Sequence, residues 1–186
     1  MADAIVETDR LILRDWREED WAPFWRHTNT PNVMRWLGGV ADEEGLAAIR
    51  LRLDGFSRDW GHTFWVVERR TDAAILGFCG LKRANVEGAP VFGRTEIGWR
   101  FREDAWGQGF AREAASASLE LGFEKFGASE IVALTVEGNT ASWGLMRRLG
   151  MTRREDLDYH DARWGEHLNP TIVYTITAQQ WKARTA

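Results

Sequence analysis

Apolar positions along this chain recur with two periods, and the switch between them marks out its central unit. From Thr95 to Phe101, the residues Ile97, Trp99 and Phe101 alternate with Glu96, Gly98 and Arg100. That period of two predicts a strand with one bulky apolar face and another carrying a carboxylate beside a glycine. A turn over Arg102–Ala105 and a loop over Trp106–Gly109 follow. The period then becomes helical: Ala111, Ala114, Ala115, Ser118, Leu119, Gly122, Phe123 and Phe126 fall on one stripe. The first half of that stripe is made of small residues, so the helix can lie close to its neighbour.

The same reading applies elsewhere. Arg10–Asp15 is a short first strand after a Thr8–Asp9 turn. A helix begins within Asp15–Asp20 and carries Trp21, Phe24, Trp25 and Thr28 on one side. Asn29–Gly39 reads as a turn, a short helix and a glycine break. Asp42, Glu43 and Glu44 favour a helix start, and Leu46, Ile49, Leu53, Phe56 and Trp60 form its apolar face. Phe64–Glu68 and Ile75–Leu81 flank a charged Arg-Arg-Thr-Asp turn and predict a hairpin. Glu130–Val136 is a strand, and Asn139 can cap a helix through Leu149 that ends at Gly150. Met151–Asp156 and Thr171–Thr177 are the last strands, separated by a polar stretch over Leu157–Pro170. Strands and helices alternate only in part, which points to an α/β chain with a mixed, α+β-type sheet and helices on both faces. Without repeats, low-complexity tracts or linkers, residues 1–186 read as a single domain.

Composition narrows the function more than the fold. The net charge of −4 gives no reason to expect nucleic-acid binding, so an anionic ligand must be met by local groups. One cysteine, Cys79, rules out an intrachain disulfide, and its apolar strand suits a buried, inert thiol. The N-terminus carries no long apolar run, so the expectation is a cytoplasmic chain without a signal peptide or membrane span. His27, His62, His160 and His167 show no paired ligand spacing, and no metal is expected. The 11 tryptophans include six within the first 65 residues, most simply as core.

A glycine pair before a helix start leaves backbone N–H groups free at the positive end of the helix dipole, where phosphate binds well. The spelling GxxxxGK[ST] is absent, and GxGxxG fails because Arg112 stands at its third glycine. What remains is Trp106-Gly107-Gln108-Gly109-Phe110-Ala111-Arg112-Glu113-Ala114, after a strand spelled Glu96-Ile97-Gly98-Trp99. Together they resemble the acyl-CoA pyrophosphate loop of the general N-acetyltransferase (GNAT) superfamily, in its RimJ/RimL-like branch. Thr8 to Trp16, followed by Pro31 to Gly38, is similar to the opening of the same branch, and the likeness extends to the closing Ile172–Trp181 stretch. Asp104 departs from the Gln or Arg of the wider superfamily, which is usual in this branch.

The resemblance implies the GNAT fold: a mostly antiparallel sheet in which one parallel pair splays apart to admit acetyl-CoA. It implies an N-acetyltransferase that passes an acetyl group to a primary amine, on a protein N-terminus or a small molecule, by direct attack in a ternary complex. The amides of Gly107, Gln108, Gly109, Phe110 and Ala111 would take the pyrophosphate, with Trp106 in the loop and Arg112 adding charge. The main chain of Trp99, Arg100 and Phe101 would pair with pantetheine. Arg102, Arg147 and Arg148 could reach the ribose phosphate or be plain surface charge.

Two residues are candidates for the chemistry. An α-amine has a pKa of about 8 and lysine about 10.4, so a base helps near neutral pH. Glu96 matches the family's base, its alternative being an ion pair with Arg100. Ser142, on the Leu145, Met146 and Leu149 face, matches the serine that protonates the departing thiolate, although a small core residue bonded to its own helix would look the same. Tyr159 is the alternative acid. Asn139 would hold the pantetheine arm, cap its helix, or both. Trp36 and Tyr159 could line the acceptor pocket. The competing class is a non-catalytic CoA-binding or regulatory module with the same fold. The acceptor itself, and a monomeric or homodimeric state, are not readable from the residues.

Overall fold

The computed structural model describes residues 4–185. Eight strands and six helices follow one another as β1 (Ala4–Glu7), β2 (Leu11–Arg14), α1 (Trp21–Thr28), α2 (Pro31–Met34), α3 (Glu43–Trp60), β3 (Phe64–Arg69), β4 (Ile75–Arg83), β5 (Thr95–Phe101), α4 (Phe110–Glu124), β6 (Glu130–Val136), α5 (Thr140–Arg148), β7 (Thr152–Arg153), β8 (Thr171–Thr177) and α6 (Ala178–Thr185). The strands form one sheet in the order β1-β2-β3-β4-β5-β6-β8-β7, with helices around it. Its parallel pair is β5–β6, and that ladder joins Thr95–Ile97 to Ile131–Ala133. Both strands run on beyond it, to Phe101 and Val136.

The chain divides into two compact units: residues up to Lys82 with Gly98–Ser118, and Arg83–Ile97 with the chain from Leu119 on. In the first, Trp21, Phe24, Leu53, Phe64 and Phe78 make a buried aromatic core. Trp16 stacks on Trp21 at 3.9 Å, and Phe64 on Phe78 at 5.0 Å. α3 starts where Asp42 accepts from the Gly45 amide at 2.9 Å and stops at Gly61, whose φ of 69° suits glycine. Of the expected apolar face only Leu53 is fully buried, and Trp60, on the last turn, is exposed. Ala114, Ala115 and Ser118 of α4 are wholly buried, which is the close approach that the small stripe predicts. Cys79 lies there too, 3.6 Å from the Ser118 hydroxyl, and burial pushes its thiol up to about 12.

In the second unit, β6 pairs with β8 along its full length, and Ala84, Val91, Val132, Leu157 and Val173 form the core. β7 is only two residues long, shorter than the Met151–Asp156 strand expected, because Glu155–Leu157 winds into a 3-10 turn. β1 and α6 are additions to the pattern read from the sequence. The α6 start carries a reciprocal cap: Gln180 Oε1 accepts from the Thr177 amide at 2.8 Å, and Thr177 Oγ1 accepts from the Gln180 amide at 3.2 Å. Thr-x-x-Gln was the available signal.

Candidate functional site

The glycine loop belongs to the first unit and is held from three sides. Trp106 donates its indole N–H to the Phe101 carbonyl at 2.9 Å, and Gln108 Nε2 donates to the Asp104 carbonyl at 2.5 Å. Arg10, at the end of the β1–β2 turn, donates Nη1 to the Gln108 carbonyl at 3.0 Å and lies over the Phe110 ring. Gly107 and Gly109 adopt φ of 71° and 82°, a backbone that L side chains rarely take. This turn presents the amides of residues 107–109 at the head of α4. Among the described residues, no backbone carbonyl accepts from them. Phe110 and Ala111 add the unpaired amides of a first helical turn.

Glu113, in that first turn, is the anchor sequence reading missed. Its carboxylate accepts from the Thr8 hydroxyl at 2.6 Å, the Arg10 amide at 3.0 Å and Arg10 Nε at 2.7 Å. Burial pushes this carboxyl up, but the bonds from Thr8 and Arg10 outweigh that and leave it below the usual carboxylate range. The Thr8 and Arg10 spelling at the N-terminus thus fixes the loop a hundred residues later. Arg112 is exposed beside it. Thr30, the N-cap of α2, and Asn32 both donate to Glu103, just before the loop, at 2.5 Å and 2.8 Å. Trp36 follows α2, half-buried, with the Arg35 guanidinium 4.8 Å above its ring.

On β5, Trp99 is half-buried, while Arg100 and Phe101 are buried. One carbonyl expected to be open, that of Phe101, already receives the Trp106 indole. Gly98 faces Phe64 so closely that a Cβ there would stand 2.6 Å from the ring. That ring fills the glycine's space and explains why the polar face of the strand carries no side chain at this point.

Glu96, Tyr159, Asn139 and Ser142 lie in the second unit. Glu96 is buried, at 8% exposure. Tyr159 bridges to Thr171 at the β8 edge and is partly buried. Burial first, and then the Glu96 and Asp161 charges, push its hydroxyl up to about 12, so it keeps its proton at neutral pH. The Glu96 charge also acts on Arg163, whose guanidinium is raised chiefly by its hydrogen bonds to Asp161. Glu96, Tyr159 and Arg163 therefore share one electrostatic neighbourhood, a grouping that no spacing in the sequence announces. Asn139 caps α5: its Oδ1 accepts from the Ser142 amide at 3.4 Å. Ser142 is half-buried on the side of Leu145 and Met146.

Comparison with known proteins identifies the family. Residues 10–152 match the acetyltransferase (GNAT) domain. The N-acetyltransferase YnaD of Bacillus subtilis (strain 168), itself named as uncharacterized, is 30% identical over 95% of this chain and 98% of its own. Among solved structures, an acetyltransferase from Agrobacterium tumefaciens str. C58 superposes with a TM-score of 0.76 at 21% identity, over 92% of each chain. A GNAT-family acetyltransferase from Bacillus anthracis gives 0.75 at 24% identity, over 94% of this chain and 98% of its own. The chain belongs to the GNAT acetyltransferase family. It is an acetyltransferase, and enzymes of this family use acetyl-CoA. No described helix is long and apolar enough to cross a membrane, and the described residues hold no cluster of His, Cys, Asp and Glu fit for a metal ion.

Proposed function

We propose that the protein is a cytoplasmic N-acetyltransferase of the RimJ/RimL-like branch, working as one catalytic domain on a primary amine that attacks the acetyl thioester directly. The observation that carries this reading is the pair of left-handed glycines, which leaves the amides of residues 107–109 without backbone acceptors at the head of a 15-residue helix. Such a turn suits a pyrophosphate, and the exposed Arg112 adds charge. The main chain of Trp99 to Phe101 serves the pantetheine arm, together with Asn139. Trp36 and Tyr159 are each assigned to acceptor binding.

Acetyl-CoA supplies an acetyl thioester. Glu96 accepts the proton that the amine loses as its nitrogen bonds to the acetyl carbon. Ser142 gives its hydroxyl proton to the sulfur as the carbon–sulfur bond breaks, and regains one from solvent. Tyr159 is the second candidate for that proton, since its hydroxyl stays protonated under the Glu96 field.

Calorimetric titration with acetyl-CoA tests the first half of the reading. Micromolar binding that Gly109→Trp abolishes is the expected result, and no binding to the intact protein overturns it. For the second half, Glu96→Gln is expected to lower turnover by roughly 10²–10⁴-fold. Undiminished activity across pH would remove Glu96 from its role. Binding without turnover on any amine would leave a CoA-binding module.

A further inference from the structure

Arg100 is in an unusual position for a charged side chain. It is 9% exposed, inside the first unit, with Phe78 and Phe24 ring centroids 5.2 Å and 5.9 Å from its guanidinium carbon. Its Nε and Nη1 are buried and have no hydrogen-bond partner among the described residues. Burial, and then the like charge of Arg52, lower its pKa to about 10, with no carboxylate acting against them. Acids of the same unit are engaged by other groups. Arg14 holds Asp20 and Glu68, Arg102 holds Asp104, and Arg10 holds Glu113. Glu103 is bound by Thr30 and Asn32.

A buried guanidinium with open donors and a positive neighbour is complementary to an anion. The rings offer no conventional acceptor in the ring plane, so the Nε and Nη1 donors are left for that anion. One buried positive charge is balanced by one negative charge, which favours a monoanion over a phosphate dianion, and the aromatic surroundings suit an apolar body behind it.

We infer that the Arg100 side chain receives a carboxylate of the acceptor, so that the substrates are amines that also carry a carboxylate on an apolar or aromatic frame. The inference rests on the acetyltransferase reading and adds a substrate class to it. The cofactor needs only the Arg100 main chain, so the side chain is available for the acceptor.

Phenylacetate and phenylacetamide, alike in shape and different in charge, are the probes. In ¹⁵N-labelled protein the Arg100 Nε–H resonance is assigned by its disappearance in Arg100→Met. Phenylacetate is expected to shift it saturably while phenylacetamide does not, and Arg100→Met is expected to weaken phenylacetate binding at least tenfold by calorimetry. Arg100→Lys, which keeps the charge, is expected to fall between the two. Phenylacetate that does not bind, that binds no better than the amide, or that binds Arg100→Met equally well overturns the inference. In the catalytic arm, phenylalanine is expected to be acetylated at least tenfold more efficiently than phenylalaninamide, and equal rates likewise overturn it. The same sample is titrated with acetyl-CoA. Bound acetyl-CoA with unbound phenylacetate removes only the carboxylate assignment, whereas unbound acetyl-CoA removes the acetyltransferase reading and the acceptor with it.

Discussion

Arg14 and Arg100 are both arginines sunk into the sheet of the same compact unit, with 3% and 9% of their surface exposed. Their surroundings are opposite. Arg14 donates to both oxygens of Asp20 at 2.6 Å and 2.8 Å, to Glu68 at 2.8 Å and to the Asp15 carbonyl at 3.1 Å. Burial lowers its pKa, but those partners more than reverse the effect and the guanidinium ends above its ordinary value. Arg100 has rings where Arg14 has carboxylates, and ends about 10. Burying a charge is expensive in either place. Where the chain supplies the counter-charge, the residue is part of the scaffold. Where it does not, the deficit marks a place for something from outside.

The largest effect expected from breaking this contrast is at the satisfied site. Arg14→Met strands Asp20 and Glu68 and should cost about 3–5 kcal/mol. At ~2–4 °C per kcal/mol for a chain of this size, the calorimetric midpoint falls by roughly 10 °C. Gly77→Ala comes next. Its Cβ would stand 2.0 Å from the Arg100 carbonyl oxygen, an overlap with backbone that no rotamer relieves. A loss of about 2–3 kcal/mol in urea unfolding is expected. Arg100→Met should do the reverse of Arg14→Met and raise the stability of the unliganded protein by about 1–2 kcal/mol, since it removes buried donors that nothing satisfies. A fall in its midpoint comparable to that of Arg14→Met would erase the distinction.

The smallest effect belongs to a third arginine, Arg10, which shares its carboxylate with solvent. Its side chain is 46% exposed and that of Glu113 18%, so the pair is worth about 0.5–1 kcal/mol. Glu113 titrates lower in the fold than its unfolded value of about 4.3. Its contribution is therefore present above that pH and is lost as pH falls through the lowered value. Midpoints measured from about pH 5 downward should fall more steeply for the wild type than for Glu113→Gln. Parallel curves would show that the anchor does not stabilise the loop.

Much of this architecture was legible because the signals are local. The β5 strand, the glycine turn and the small stripe of α4 each depend on residues within a few positions of one another, and the structure has all three elements where the pattern puts them. The Asn139 cap was readable for the same reason. What escaped reading joins distant parts of the chain. Nothing near Arg10 names Glu113 as its partner, and nothing near Glu96 names Tyr159. Arg100 illustrates the limit most clearly. In sequence it looks like the polar member of an alternating strand, ready to pair with Glu96. Its lack of a buried counter-charge among the described residues shows only in three dimensions. The two-residue β7 and the unforeseen α6 are ordinary boundary effects, settled by one 3-10 turn and one reciprocal cap.

The packing of Cys79 against Ser118 has a practical consequence. Acetyl transfer liberates a free thiol, and a chromogenic disulfide reagent counts it. The protein's single cysteine is wholly enclosed, with a thiol that ionises only near pH 12, so the folded enzyme is silent toward such a reagent. Signal that grows with amine reports turnover. Signal that appears without it, rising to one equivalent per chain, reports unfolding, so one assay reads catalysis and the integrity of the sheet together.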